Sequence, residues 1–219
     1  MIKGIIFDLD GTLLDTLDDI YNAVSHMLRI KKYPDKSKDD IKRALGYGAK
    51  YLISAVIPSG LSEIELADAL RIYQEYYNEH QNDYSKPYEG VLEMLEKLKD
   101  QGYQLSIVSN KVDYMVKELN KNIFRGFIDE AVGETKGVPP KPDPTGVLNV
   151  MKKLNLKKEE VIYIGDTEVD IMTAKNCELF CVGCTWGFRD MDALLTAKAD
   201  IIINHPLELL NVLNEGIKI

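Results

Sequence analysis

The sequence predicts an α/β fold, a doubly wound parallel β-sheet core into which an α-helical domain is inserted. Short apolar runs of strand length alternate with amphipathic helical stretches, a pattern typical of a parallel sheet covered by helices on both faces. One long segment breaks this alternation because its pattern is almost entirely helical. We therefore predict a core formed by residues 1–15 and 85–219 and a helical cap formed by residues 16–84.

The predicted core strands are apolar runs bounded by polar or turn-forming residues. The first, residues 2–8, runs into the acidic turn at residues 8–12. The others are residues 103–109, 130–133, 161–166, 179–183 and 200–203. Runs of this length suit strands that are buried on both faces of a parallel sheet.

Helical spacing and helix-start signals mark the segments between these strands. Val91, Leu92, Leu95 and Leu98 recur at the spacing of one helix face. The helix-start signals are Ser37-x-x-Asp40, Ser62-x-x-Glu65 and Asp143-Pro144. The helical segment is expected to return to the core through residues 81–87, a polar connection that ends in proline and suits a hinge.

Charge and composition disfavour several classes of function. The 219 residues include 27 Lys and Arg against 35 Asp and Glu, and the formal charge of -8 gives no overall attraction to nucleic acid or anionic membrane. No apolar run approaches the ~20 residues that a membrane span needs, and the start does not resemble a secretory signal. Three cysteines fit reduced thiols without a structural disulfide. We expect a cytoplasmic protein, a monomer or a homodimer.

Carboxylates stand at the ends of two predicted strands. Asp8 and Asp10 follow the first strand, and Asp166 ends a later one with Asp170 one helical turn beyond it. The carboxyl ends of parallel strands share one edge of the sheet, where ligands bind. Carboxylates crowded there would repel one another unless a cation lay among them. We predict Mg²⁺, which prefers hard oxygen ligands, with Asp8 and Asp166 as side-chain ligands.

The same edge of the sheet carries groups that suit a phosphate. Lys141 and the hydroxyls of Ser109 and Thr12 would neutralise or hydrogen-bond the oxygens of a phosphate that faces Asp8. Asp8 would attack phosphorus, and Asp10 would protonate the leaving alcohol and later deprotonate the hydrolytic water. The sequence thus predicts phosphate ester hydrolysis through an aspartyl-phosphate, catalysed by Asp8, Asp10 and Lys141.

In this order, these residues resemble the four motifs of the haloacid dehalogenase superfamily of phosphatases. The motifs are Asp8-x-Asp10-Gly11-Thr12, Ser109-Asn110, Lys141 and Gly165-Asp166-Thr167-Glu168-Val169-Asp170. The resemblance covers nearly the whole chain and implies a Rossmann-like core with a cap inserted after the first motif. It implies Asp8 as nucleophile and metal ligand, the carbonyl of Asp10 and the carboxylate of Asp166 as further ligands, and Asp170 as a ligating or supporting group. It also assigns Ser109 and Asn110 to phosphate binding.

A second resemblance, to phosphoglycolate phosphatase-like enzymes, comes from the cap length and from residues 43–48 (RALGYG). Gly46 and Gly48 would let backbone amides approach the substrate, and Arg43 or Lys50 would pair with its carboxylate. Lys111, directly after the second motif, would also face the pocket. The implied substrate is a small phosphorylated metabolite such as phosphoglycolate.

The sequence leaves several alternatives open. A phosphomutase similar to β-phosphoglucomutase or a pyrophosphatase would use the same scaffold. A non-catalytic module would only bind a phosphorylated metabolite, although retention of both Asp8 and Asp10 argues against it. Arg43 and Lys50 would equally suit the solvated face of a cap helix.

Overall fold

Eight strands are present in the part of the chain that the computed structural model describes, residues 1–124 and 126–216. In chain order they are β1 (Gly4–Phe7), β2 (Leu14–Asp15), β3 (Lys86–Pro87), β4 (Gln104–Val112), β5 (Glu130–Glu134), β6 (Val161–Gly165), β7 (Phe180–Cys184) and β8 (Ile201–Ile203). Six of them form one sheet in the order β5-β4-β1-β6-β7-β8, and all neighbours in it are parallel. The short strands β2 and β3 pair separately and antiparallel.

Ten α-helices accompany these strands within the described ranges. They are α1 (Leu17–Lys31), α2 (Lys38–Arg43), α3 (Ala49–Val56), α4 (Glu63–His80), α5 (Val91–Asp100), α6 (Asp113–Leu119), α7 (Thr145–Lys153), α8 (Glu168–Asn176), α9 (Met191–Ala197) and α10 (Glu208–Glu215). A π-helical turn, Asn120–Phe124, and a 3-10 turn, Lys158–Glu160, complete the regular structure. None of these helices combines the length and the apolar composition that a membrane crossing requires.

The order of the strands confirms the predicted doubly wound core. The chain begins in the middle of the sheet with β1, runs outward through β4 to β5, and then continues on the other side through β6, β7 and β8. Along β1, Ile5 and Phe7 pack into one hydrophobic cluster and Ile6 into the cluster on the opposite face. The direction of winding changes between β1 and β6, and such a switch point opens a crevice at the carboxyl ends of the strands.

Helices α1 to α4 form the helical insert, residues 17–80, between β2 and β3. Its buried side chains make a third hydrophobic cluster, and Met115 and Phe188 of the core belong to the same cluster. The insert therefore packs against the site side of the sheet. The division of the chain at residues 16 and 84 stays a prediction. The capping boxes that start α2 and α4 are present as predicted.

Asp19, in the first turn of α1, holds the segment through which the insert returns to the core. Its buried carboxylate accepts hydrogen bonds from the backbone N–H groups of Tyr84 and Ser85, and from the Ser85 hydroxyl at 2.6 Å. A buried carboxylate with several donors is a strong local restraint. The return segment, expected to act as a hinge, is thus anchored to the helix with which the insert begins.

Three local predictions need correction. Strand β4 continues three residues past the predicted end at Ser109, with a shift of register between Val108 and Val112, so the second motif lies in an irregular stretch of strand. Helix α7 begins at Thr145, one residue later than predicted, and the Asp143 carboxylate accepts from the Thr145 N–H at 2.9 Å. Leu92 is exposed and does not share the buried face of α5.

Candidate active site

Three acidic side chains meet where β1 and β6 end. Strand pairing sets Phe7 beside Ile164, and the N–H of Asp8 donates to the Ile164 carbonyl at 2.9 Å, so the residues that follow both strands lie side by side. Asp8, Asp166 and Asp170 are buried there, and one carboxylate oxygen from each lies within 4.8 Å of the others. Of the four carboxylates predicted to share this edge, these three converge in one cluster.

Lys141 lies between two of these carboxylates. Its Nζ donates to Asp8 Oδ1 and to Asp170 Oδ1, each at 2.7 Å, and to the hydroxyl of Tyr163 at 3.0 Å. All three donors of the ammonium group therefore have partners. Lys141 reaches this position from the loop before α7, as the order of the motifs predicts, whereas Tyr163 rises from the middle of β6.

Burial and crowding shift the pKa values of these groups. Burial, reinforced by the Asp170 carboxylate and partly opposed by Lys141, raises the pKa of Asp8 from 3.8 to about 7. Burial also raises the pKa of Asp166 well above its ordinary value, with contributions from Asp170 and Asp8. Burial disfavours charge on Lys141, but the carboxylates of Asp170 and Asp8 outweigh it and raise the pKa of this ammonium group well above its ordinary value. The corner favours added positive charge.

Asp166 is held through both of its oxygens. The Thr12 hydroxyl donates to Oδ1 at 2.8 Å, and the backbone N–H of Phe188 donates to Oδ2 at 2.7 Å. Thr12 was predicted to bind phosphate, and this prediction is corrected: its hydroxyl is buried and directed at Asp166. Trp186 supports the same arrangement, because its indole N–H donates to the Thr12 carbonyl at 2.9 Å.

Two glycines allow the backbone to approach Asp166. Gly11 has a φ of +90°, and a Cβ atom placed on it would lie 2.3 Å from Asp166 Oδ2. A Cβ on Gly187 would lie 2.3 Å from the Gly11 carbonyl oxygen. Any larger residue at either position would push Asp166 aside, so both turns need glycine.

Asp10 lies apart from the three-carboxylate cluster, on the side of the helical insert. Its Oδ1 accepts from Lys111 Nζ at 2.9 Å, and the same nitrogen donates to the Tyr77 hydroxyl of α4 at 2.6 Å. Lys111 faces the pocket as predicted. The Asp10 side chain is thus placed for proton transfer at the cavity, while its predicted role as a metal ligand through the carbonyl stays a prediction.

A cavity of about 80 Å³ opens above Asp8, between the sheet and the insert. Asp8, Asp10, Ser109 and Lys111 form its polar floor. The wall that the insert contributes is mostly apolar and contains Ile20, Leu45, Ala49, Leu52 and Tyr73, together with Gln74, Tyr77 and two glycines. The space admits a ligand of only a few heavy atoms beyond the reacting group.

Two predicted substrate-binding residues have other partners. The Arg43 side chain is 72% exposed and pairs with Asp40 at 2.6 Å on the outside of α2, so it does not reach the cavity. The Asn110 amide donates to the carbonyls of Gly46 and Lys141, and its oxygen accepts from the Lys141 N–H at 2.7 Å. Asn110 therefore clamps two loops instead of offering its amide to phosphate.

Gly46 and Gly48 do line the cavity, with φ values of +114° and +86° that favour glycine. Amide binding of substrate at these two glycines stays a prediction. Lys50, the alternative cation, does not line the cavity; it lies with Tyr47 and Tyr51 on an adjacent groove.

Arg189, which the motifs do not indicate, joins the loop after β7 to the helical insert beside the site. Its guanidinium pairs with Glu168 through two hydrogen bonds, of 2.7 and 3.1 Å, and also donates to the carbonyls of Lys42, Arg43 and Leu45 at the end of α2. The available signal in the sequence was the position of its loop, which follows directly after a strand end.

The residues at the site fit a divalent cation. In the buried cluster, Asp8, Asp166 and Asp170 carry three formal negative charges, against which Lys141 supplies one positive charge. The remaining negative charge of two is what a divalent ion would balance, and the raised carboxyl pKa values show that burial and crowding disfavour this uncompensated charge. All the available donors are hard oxygens, which suit Mg²⁺.

Comparisons with known proteins identify the family of the chain. Residues 5–184 match the family model of haloacid dehalogenase-like hydrolases. A phosphoglycolate phosphatase of Vibrio parahaemolyticus is 32% identical over 219 residues, which cover 96% of this chain and 96% of the relative. A pyrophosphatase PpaX of Listeria welshimeri is 30% identical over 217 residues, which cover 98% of this chain and 97% of the relative.

Solved structures show the same architecture. A haloacid dehalogenase-like family hydrolase of Streptococcus pneumoniae superposes with a TM-score of 0.88 at 27% identity, covering 97% of this chain and 98% of its own. A Lactobacillus delbrueckii subsp. bulgaricus protein, provisionally assigned as a phosphoglycolate phosphatase, superposes with a TM-score of 0.92 at 30% identity, covering 96% and 97%. The predicted family and enzymatic character are confirmed: the chain belongs to the haloacid dehalogenase-like hydrolase family.

Proposed function

We propose that this hydrolase is a Mg²⁺-dependent phosphatase that acts on a small phosphomonoester through an aspartyl-phosphate on Asp8. The observation that carries the proposal is the buried cluster of Asp8, Asp166 and Asp170 around Lys141, at the floor of a small cavity. Asp8, Asp166 and Asp170 would hold the metal, whose chemical contribution is to neutralise charge on the phosphate oxygens.

The contacts of Asp8 and Asp10 support the following steps. Lys141 holds Oδ1 of Asp8, which leaves Oδ2 to attack phosphorus while the ester P–O bond breaks. Asp10 gives its proton to the departing alcohol oxygen. It then takes a proton from a water molecule that attacks the same phosphorus, and the Asp8–phosphorus bond breaks to release inorganic phosphate. The Ser109 hydroxyl, at the cavity floor, would donate to a phosphate oxygen.

Phosphoglycolate is the first candidate substrate, because relatives that align over nearly the whole chain are phosphoglycolate phosphatases and because the cavity is small. Pyrophosphate is the second, on the strength of the Listeria relative. We also propose that the enzyme acts in the cytoplasm, as a monomer or a homodimer. The three buried free cysteines are consistent with a reducing compartment.

The direct test is phosphate release from a generic aryl phosphate, phosphoglycolate and pyrophosphate by the wild type and by Asp8→Asn. The variant keeps the volume of the side chain but removes the nucleophilic carboxylate, so turnover of every substrate should fall below about 1% of wild type. Product analysis of a hexose phosphate in the same assay separates hydrolysis from isomerisation. Substantial turnover by Asp8→Asn would remove Asp8 as the nucleophile.

A further inference from the structure

The cavity contains one cation that the proposed reaction leaves without a task. Among the described residues that line it, the charged ones are Asp8, Asp10 and Lys111. We infer that Lys111 selects substrates whose leaving alcohol carries a carboxylate, by binding that carboxylate. The inference rests on the proposed phosphatase function and assigns its substrate class to one residue.

Lys111 is held in place before a substrate binds. Its side chain is 6% exposed, its Nζ bonds to Asp10 and Tyr77, and it lies 4.7 Å from the centre of the Tyr77 ring. These two hydrogen bonds use two of the three donors of an ammonium group. Within the described ranges no further hydrogen bond from this nitrogen is found, so its third donor is available to a ligand.

The position of Lys111 matches the leaving-group side of the reaction. It contacts Asp10, which protonates the departing oxygen, and it follows Ser109, whose hydroxyl accepts from the Lys111 N–H at 3.1 Å. A substrate whose phosphorus faces Asp8 therefore extends its alcohol portion toward Lys111 and the wall of the insert. The small cavity limits that portion to a few atoms.

The other cations near the site are bound to protein groups or, like Lys50, do not line the cavity. Lys141 donates to three protein acceptors beneath the cavity. Arg43 pairs with Asp40 at the surface, and Arg189 is bound to Glu168 and the end of α2. A carboxylate buried against an apolar wall requires a charge-assisted partner, and Lys111 is the one that lines this cavity.

The experiment compares phosphoglycolate with its carboxamide, in which a neutral amide of nearly identical shape replaces the carboxylate and the phosphate is unchanged, by phosphate release in saturating Mg²⁺. Wild-type enzyme should prefer phosphoglycolate in kcat/KM by about 30-fold, the effect of one charge-assisted hydrogen bond. Lys111→Met retains the length of the side chain and should reduce that ratio to near one. Lys117→Met, which breaks an exposed lysine–aspartate pair on α6, should leave the ratio as in the wild type.

A role limited to orienting Asp10 predicts a different result. In that case Lys111→Met slows both esters by the same factor and the preference persists, which would refute the inference. The wild-type ratio is a test that needs no variant: a ratio near one overturns the inference even if Lys111→Met does not fold. Continued hydrolysis of the carboxamide and of an aryl phosphate would then still support the proposed phosphatase function, whereas loss of all three activities would count against both.

Discussion

At the scale of single residues, the position of Asp166, a proposed metal ligand, depends on two neighbouring residues. Thr12 donates to one of its oxygens and the Phe188 backbone to the other. These bonds set the direction in which the remaining lone pairs point, and such supporting contacts commonly change metal affinity by about 10 to 100-fold. Thr12 therefore acts through Asp166.

Thr12→Val tests this role, because valine keeps the shape of threonine and removes only the hydroxyl. We expect the Mg²⁺ concentration for half-maximal activity to rise by about 10-fold or more, while activity at saturating Mg²⁺ stays within a few fold of wild type. The readout is phosphate release across a magnesium titration. Thr185→Val, which removes a hydroxyl bonded to Asn204, is the matched control and should leave the titration unchanged. A fall in maximal rate without a shift of the midpoint would instead favour direct contact of Thr12 with phosphate.

Among the elements, the loop after β7 connects the sheet to the helical insert. Phe188 packs into the hydrophobic cluster of the insert, and Arg189 binds the last carbonyls of α2. The final carbonyls of a helix lack partners within the helix, so a guanidinium group is a suitable cap for them. The loop that positions Asp166 thereby also fixes one side of the cavity.

Arg189→Met should lower the free energy of unfolding by about 2 kcal/mol, because a half-buried guanidinium loses charge-assisted hydrogen bonds to Glu168 and to α2. Urea denaturation followed by circular dichroism measures the change. Arg71→Met removes an arginine that is also paired with two acids, but on the exposed face of α4, and should cost less than about 0.5 kcal/mol. Equal losses for the two variants would mean that Arg189 contributes no more than a surface ion pair.

The core elements and the motif residues that follow them could be predicted because both depend on local patterns. Apolar runs identified the strands, and parallel strands bring their ends to one edge, so Asp8 and Asp166 had to meet if β1 and β6 were neighbours. The partners within that edge depend on loop conformation. A single sequence does not show that Thr12 turns toward Asp166 or that the Asn110 amide is used by two carbonyls.

The wall of the cavity was harder to predict for a related reason. Helix α2 has six residues, too few for an apolar stripe to define which side faces the sheet, and Arg43 proved to be on the outer side. Arg189 lies in sequence far from the carbonyls it binds, and no sequence motif marks a side chain that caps a distant helix. Lys111 was indicated correctly because it directly follows a motif at the edge of the sheet.

For the whole molecule, the buried carboxylates link folding to protons and to the proposed metal. In the metal-free protein the folded-state pKa values of Asp8 and Asp166 are raised above those of the unfolded chain. A raised carboxyl pKa contributes stability that is fully present below the unfolded value near 3.8, and this contribution is lost as pH rises through the folded value, about 7 for Asp8. The metal-free protein should therefore lose part of its stability across that interval.

Mg²⁺ should restore stability most at pH values at which Asp8 and Asp166 are deprotonated, because the cation and the protons compete for the same carboxylate oxygens. We expect about 10 mM Mg²⁺ to raise Tm by several degrees at about pH 8 and by clearly less at about pH 5.5, where Asp8 is largely protonated. Thermal melts with Mg²⁺ and with chelator at each pH give the rise in Tm that Mg²⁺ causes. The titration of groups away from the site affects both melts equally and cancels in this comparison. Asp166→Asn removes one ligand and should abolish the increment at both pH values, whereas Asp68→Asn on the exposed face of α4 should leave it intact. An equal increment at the two pH values in the wild type would show that the metal binds away from Asp8 and Asp166.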